Sequence, residues 1–163
     1  MWLALARCMS LFWSTSVQRS KMIKCSAKLV YDPNRQDFKK VHKSRTLIAQ
    51  LRRDDLDLYY QWFLKRKFGQ YLEIQRPMFG THVTIVRGDE GISSDKMHLW
   101  KKYEGQILSF NYDPCSLERH WQFWSIRVES QDMCDIRAEL GLRHQPNFHI
   151  TVGRQHEWQP LIG

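Results

Sequence analysis

Two short segments of the chain match each other: Thr81-His82-Val83-Thr84-Ile85-Val86-Arg87-Gly88 and Phe148-His149-Ile150-Thr151-Val152-Gly153-Arg154. Each sets a histidine, an apolar residue, a threonine and another apolar residue into a strand-like run. Side chains alternate along a strand, so residues two apart share a face. His82 and Thr84 therefore point one way, with Val83 and Ile85 behind them. His149 and Thr151 repeat the arrangement over Ile150 and Val152. Two such strands facing one cleft supply two imidazoles and two hydroxyl donors.

That set suits the cleavage of a phosphodiester bond without a metal. The reaction must remove a proton from a nucleophile and deliver one to a leaving oxygen. Imidazole titrates near neutrality, so one histidine serves as base and the other as acid. Charge developing on the non-bridging oxygens needs fixed donors close by. Threonine hydroxyls two residues from each histidine are placed for that task. Which histidine is acid and which is base cannot be read from the sequence, because it depends on how the substrate lies.

Composition agrees with a folded domain that takes an anionic ligand. The chain has 163 residues, 42% hydrophobic and 13% aromatic, enough for one domain with a real core. The net charge is +8, and Arg7, Arg19, Lys21, Lys24 and Lys28 all precede the first acid, Asp32. The body is thus mildly basic, which fits a compact anion better than a long nucleic-acid track. Cys8, Cys25, Cys115 and Cys134 are scattered without a C-x-x-C pair, so free thiols in a reducing compartment are expected. His144 stands five residues before His149, and nothing completes a ligand set, so no metal site is expected. No cofactor is expected either, since phosphate-loop and dinucleotide-binding motifs are missing from the sequence. The segment 1–23 has an apolar opening broken by Arg7, several serines and no acid. It reads as a disordered or spurious leader ahead of Met22, with organelle targeting as the alternative, and is too short and interrupted to span a membrane. A single domain over 24–163 in the cytoplasm (of a host, if the protein is viral) is the expectation.

The elements that must position the motifs follow from periodicity. Cys25–Tyr31 reads as a strand closed by the Asp32-Pro33-Asn34 turn. Thr46–Leu51 is a strand or a helix entry. Asp54–Phe68 is a helix, with Leu56, Tyr59, Tyr60, Phe63 and Leu64 at helical spacing and Gly69 as its stop. Tyr71–Gln75 is a short strand leading to the first motif. A short helix carries Met97, Trp100 and Tyr103. Gln106–Tyr112 and Trp121–Glu129 are strands. Ser130 caps a helix that buries Met133, Ile136 and Leu140 and stops at Gly141. The second motif follows. This order predicts an α+β protein of two related half-units, each a small antiparallel sheet with a helix.

The paired H-x-T motifs resemble those of the two-histidine (2H), LigT-like phosphoesterase superfamily. Thr81-His82-Val83-Thr84-Ile85 is similar to its first motif, and Pro146-Asn147-Phe148-His149-Ile150-Thr151-Val152-Gly153-Arg154 to its second. By order of elements the resemblance covers Lys24 to Gly163. It implies a bilobal α+β fold with two small antiparallel sheets and flanking helices around a central cleft, one histidine coming from each lobe. It also implies that His82 and His149 share the acid and base roles while Thr84 and Thr151 hold the phosphate. Substrates of the family include RNA ends with 2′,3′-cyclic phosphates, 2′–5′-linked oligonucleotides, ADP-ribose cyclic phosphate and small cyclic nucleotides. One bacteriophage branch cleaves the cyclic oligonucleotide signals of antiviral (CBASS) defence.

Secondary candidates surround the motifs. Tyr31, Phe79, Trp124 and Trp158 are candidates to stack a base. Arg76 is a candidate for a second phosphate. Arg87 and Arg154 end the motif strands, and strict alternation sets them on the face opposite the histidines. The expected partner is a nucleotide or oligonucleotide. The alternatives are a non-catalytic nucleotide- or RNA-binding module, and an RNA end-processing protein whose basic leader and Lys65-Arg66-Lys67 hold the RNA.

Overall fold

A computed structural model describes residues 22–33, 45–51, 54–68, 73–77, 79–144 and 147–155. The leader, apart from its last two residues, and Trp158 lie outside the described residues. The element order is β1 (Ile23–Tyr31), β2 (Leu47–Leu51), α1 (Asp54–Phe68), β3 (Ile74–Gln75), β4 (His82–Val86), a 3₁₀ turn (Ser94–Leu99), β5 (Ile107–Tyr112), β6 (Glu118–His120), β7 (Phe123–Glu129), α2 (Gln131–Glu139) and β8 (Phe148–Gln155).

The strands alternate as their sequences demand. In β1 Cys25, Ala27, Leu29 and Tyr31 are buried, and in β5 Leu108, Phe110 and Tyr112 are. In α1 the inward stripe is Leu56, Tyr60 and Leu64, one helical turn apart. Tyr59, counted on that stripe from spacing alone, is exposed. Ser130 caps α2, its hydroxyl accepting from the Met133 amide at 3.3 Å.

The assembly of these elements corrects the expected architecture. The structure is not bilobal, and two separate small sheets do not form. β1, β2, β4, β8, β7 and β5 pair antiparallel in turn, and β5 returns to β1, so six strands close a barrel. β3 extends the edge beside β8, and β6 adds to β7. With two described helices against eight strands, the fold is mostly β. The physical reason lies in β8. Val83 of β4 pairs with one edge of Ile150, and Ile126 of β7 pairs with the other. The strand carrying the second motif is therefore shared by what the sequence presents as two halves. Closure removes the open edges that separate sheets would leave to be covered. Ala49, Val83, Ile150 and Ile126 lie in register across four strands and are fully buried. The Val83, Ile150 and Ile126 side chains each contribute up to ~1.5–3 kcal/mol by leaving water. α1 packs on β8, and α2 on β4 and β5. Among the described residues no helix is long and apolar enough to cross a membrane.

Candidate functional site

The face of the barrel wall turned away from this core carries the site. Adjacent antiparallel strands set partners side by side on one face. His82 of β4 lies opposite Thr151 of β8. The same register, carried two residues along β4, places Thr84 opposite His149. The two motifs thus form a quartet with the histidines on one diagonal and the threonines on the other, cross-strand Cβ atoms being ~4.5–5.5 Å apart. β7 adds a third row: Ser125 lies opposite Thr151, and Arg127 opposite His149. These side chains line a cleft of about 1230 Å³, together with Arg76, Phe79, Arg87, Phe123 and Arg154. Glu118 and His120 of β6 form its far wall.

Both imidazoles are oriented by the carbonyl two residues before them. His82 Nδ1 donates to the Gly80 carbonyl at 2.7 Å, and His149 Nδ1 to the Asn147 carbonyl at 3.3 Å. A carbonyl only accepts, so Nδ1 carries the proton and Nε2 is left as the lone-pair nitrogen of the neutral ring. The Gly80 carbonyl is aimed by a tight turn. The Gly80 amide bonds back to the Pro77 carbonyl at 3.0 Å, and Gly80 takes φ +67°, a conformation glycine adopts without a Cβ penalty. The ring of Phe79 stands edge-on to His82, 5.5 Å between centroids.

Burial holds both histidines below the ordinary imidazole pKa. For His82 desolvation dominates, the Gly80 carbonyl opposes it, and the charge of His149 adds to it. For His149 desolvation again leads; the Asn147 carbonyl opposes it, and Arg87 and His120 lower the value further, against Glu118. Each imidazole is thus favoured in its neutral form, and an anion between the two would shift the balance toward imidazolium.

Four arginines line the cleft, and their partners differ. Arg76 Nε sits 3.3 Å from the buried Asp57, and Arg127 3.1 Å from the buried Asp113. Arg154 donates to the Gln122 side-chain oxygen at 3.0 and 3.2 Å and lies 5.8 Å over the Phe123 ring. Arg87 offers its backbone N–H to Glu90 at 2.8 Å, and its guanidinium makes no ion pair with any described residue.

Of the candidates read from the sequence, His82, Thr84, His149, Thr151, Arg76 and Phe79 line this cleft. Tyr31 does not: it faces the core from β1 and packs edge-on to Trp100 at 4.8 Å. Trp124 does not either. It lies on the core face of β7 against Phe68, with its indole N–H directed to Gln155 at 3.4 Å. Ser125, Arg127, Phe123, Glu118 and His120 also line the cleft, and the sequence does not single them out. The only available signal was the alternation that groups Phe123, Ser125 and Arg127 on one face of β7, and it does not say which strand lies beside β8.

Arg87 and Arg154 correct the expectation from alternation, since both line the cleft. The β2–β4 register pairs Ile48 with Thr84 and Leu47 with Val86, passing over Ile85. The β7–β8 register pairs Ser125 with Thr151 and Trp124 with Gly153, passing over Val152. Each motif strand therefore carries a β-bulge at the residue after its threonine, and each bulge returns the arginine to the histidine face. Among the described residues no group of His, Cys, Asp or Glu is arranged to hold a metal ion. No family model, curated protein sequence or solved structure matches the chain.

Proposed function

We propose that the protein is a phosphodiesterase that cleaves a nucleotide phosphodiester bond with two histidines, by a mechanism that needs no metal. The observation that carries the reading is the quartet: two histidines and two threonines, crossed on neighbouring strands in a cleft lined by arginine. The scissile phosphate lies over the quartet. One neutral histidine takes a proton through Nε2 from the attacking oxygen, of water or of a 2′-hydroxyl. That oxygen bonds to phosphorus as the bond to the leaving oxygen breaks. The other histidine, as imidazolium, protonates the leaving oxygen. The hydroxyls of Thr84, Thr151 and Ser125 donate to the non-bridging oxygens where charge accumulates. The H-x-T motifs of the two-histidine phosphoesterases support the same chemistry. The reading rests on the site rather than on a shared bilobal fold.

The test is a turnover screen of the full chain in EDTA with His82→Ala and His149→Ala. The panel holds 2′,3′-cyclic mononucleotides, RNA with a cyclic phosphate end, 2′–5′-linked oligonucleotides and cyclic oligonucleotides. Cleavage in EDTA that falls at least ~100-fold in each variant, with unchanged circular dichroism, is expected. Turnover retained in either variant would overturn the mechanism. Ligand binding by the wild-type chain without turnover would replace it with a nucleotide-binding module.

A further inference from the structure

We infer that Arg87 and Arg154 hold the phosphates on either side of the scissile one, so that the substrate is a linear single-stranded oligonucleotide crossing the cleft. The inference rests on the phosphodiesterase reading and names its substrate class. In both strands the functional pattern extends from H-x-T to H-x-T-x-x-R, with a bulge at the same position. β4 and β8 run antiparallel, so the quartet is followed by one arginine at each end. Each arginine stands two strand positions past its threonine. At ~3.3 Å per position the two lie roughly 20 Å apart along the sheet, centred on the Val83–Ile150 pair. That places each guanidinium beyond the reacting phosphate and over the path of the next one.

Charge separates these two from the rest of the cleft. Arg76 and Arg127 are already neutralised by buried carboxylates. Arg87 makes no ion pair among the described residues, and Arg154 is held by a neutral amide and an aromatic ring. Their positive charges remain available to an anion, and a planar guanidinium matches two phosphate oxygens. The volume agrees: about 1230 Å³ exceeds the ~300–1,000 Å³ of most small-ligand sites. Phe79, packed on His82, and Phe123, paired with Arg154, both stand at the Arg154 end and offer ring faces to a base on that side.

The test compares kcat/KM for two substrates of the linkage that the wild type cleaves. One is a dinucleoside monophosphate, holding the scissile phosphate alone. The other is a tetranucleotide with a charged phosphate on both sides. Methylphosphonates at the flanking positions remove each charge in turn. Wild type should prefer the flanked substrate by roughly 10- to 100-fold per contact. Arg87→Met and Arg154→Met should each remove one contact's preference, and each should become insensitive to one of the two methylphosphonates. Lys24→Met, an exposed charge loss on β1, serves as control and should keep the full ratio. In parallel, Kd for a fluorescent tetranucleotide on the His149→Ala chain reads the same contacts without turnover and should rise by the same factor in each arginine variant. Histidine-dependent turnover with equal ratios in all variants, or a 2′,3′-cyclic mononucleotide cleaved as efficiently as the tetranucleotide, would overturn this inference and leave the phosphodiesterase standing. Turnover that ignores both histidines would overturn the two-histidine mechanism, and the Kd values would still decide the arginines.

Discussion

Gly153→Ala should destabilise the protein, and Ile74→Ala should remove that penalty. Gly153 sits in the β8 bulge just before Arg154, where β3 pairs antiparallel with β8. A Cβ at position 153 would stand 2.3 Å from Ile74 Cγ2. Carbon atoms meet at ~3.5–4.0 Å, so the two strands must part by more than an ångström. Ile74 is buried and β-branched, so its methyl cannot swing aside. Elsewhere in a strand, glycine to alanine gains about 0.4–1 kcal/mol by restricting the unfolded chain. Overpacking of this kind costs ~1–3 kcal/mol, so the clash outweighs the gain. Ile74→Ala alone should cost ~2–5 kcal/mol through lost burial, nearer the lower end because β3 is a two-residue edge strand. With Cγ2 gone, the next contacts of the new Cβ are Gln75 O at 3.8 Å and Ile74 Cβ at 3.9 Å, both ordinary. Adding alanine at 153 should then be nearly free. Urea unfolding of the four proteins closes the cycle, and the coupling should be ~1–3 kcal/mol. A Gly153→Ala protein within about 0.5 kcal/mol of wild type, or a penalty of equal size in both backgrounds, would refute the close-approach argument.

Burial of both histidines sets the pH dependence. The working form needs one imidazolium, and desolvation lowers both pKa values. The bell of kcat/KM against pH should therefore peak on the acid side of about 6.5, and a maximum above about 7.5 would contradict the burial argument. The same depression makes the unfolded chain bind the proton first. Stability should fall as pH drops below about 6.5, and His82→Asn should flatten that limb by up to ~1.4 kcal/mol per pH unit, read from urea midpoints. Arg137 supports the β4 bulge from behind. Its guanidinium, only 2% exposed as a residue, bonds the carbonyl of Ile85 at 2.6 Å, Glu90 at 2.6 and 2.9 Å, and the Arg143 carbonyl. Arg137→Met should cost ~1–3 kcal/mol in urea unfolding, because it leaves the buried Ile85 carbonyl without its donor, while the partly exposed Glu90 keeps water and the Arg87 amide; a loss under about 0.5 kcal/mol would show the bond to be dispensable.

Local structure was legible in the sequence because period and caps are local. The α1 stripe, the Ser130 cap of α2 and the alternation of β1, β5 and β7 all follow from residues within one element. The closed barrel was not legible. Two equivalent H-x-T strands read naturally as the centres of two sheets, and nothing in β8 reports that it has a partner on both edges. Pairing is settled over the whole ring. The aliphatic faces of β4, β8 and β7 fit one core through Val83, Ile150 and Ile126, and closure leaves six strands without an open edge.

The candidate site shows the same division at finer scale. Histidine and threonine at i and i+2 obey alternation on any strand, so their common face needed no fold. Arg87 and Arg154 stand three residues past each threonine, and three is odd, so alternation places them behind. One bulged residue in each strand turns three steps into two. Neither Ile85 nor Val152 announces a bulge, since both are ordinary buried aliphatics. The bulge is visible only against the neighbouring strand, where the single step from Leu47 to Ile48 spans two residues of β4, from Val86 to Thr84. The repeat of that device at the same position of both motifs gives it weight. A bulge leaves a residue unpaired and weakens the ladder locally. Two such losses beside the same quartet each deliver to the cleft an arginine that makes no ion pair among the described residues, which is the arrangement the proposed binding of more than one phosphate calls for.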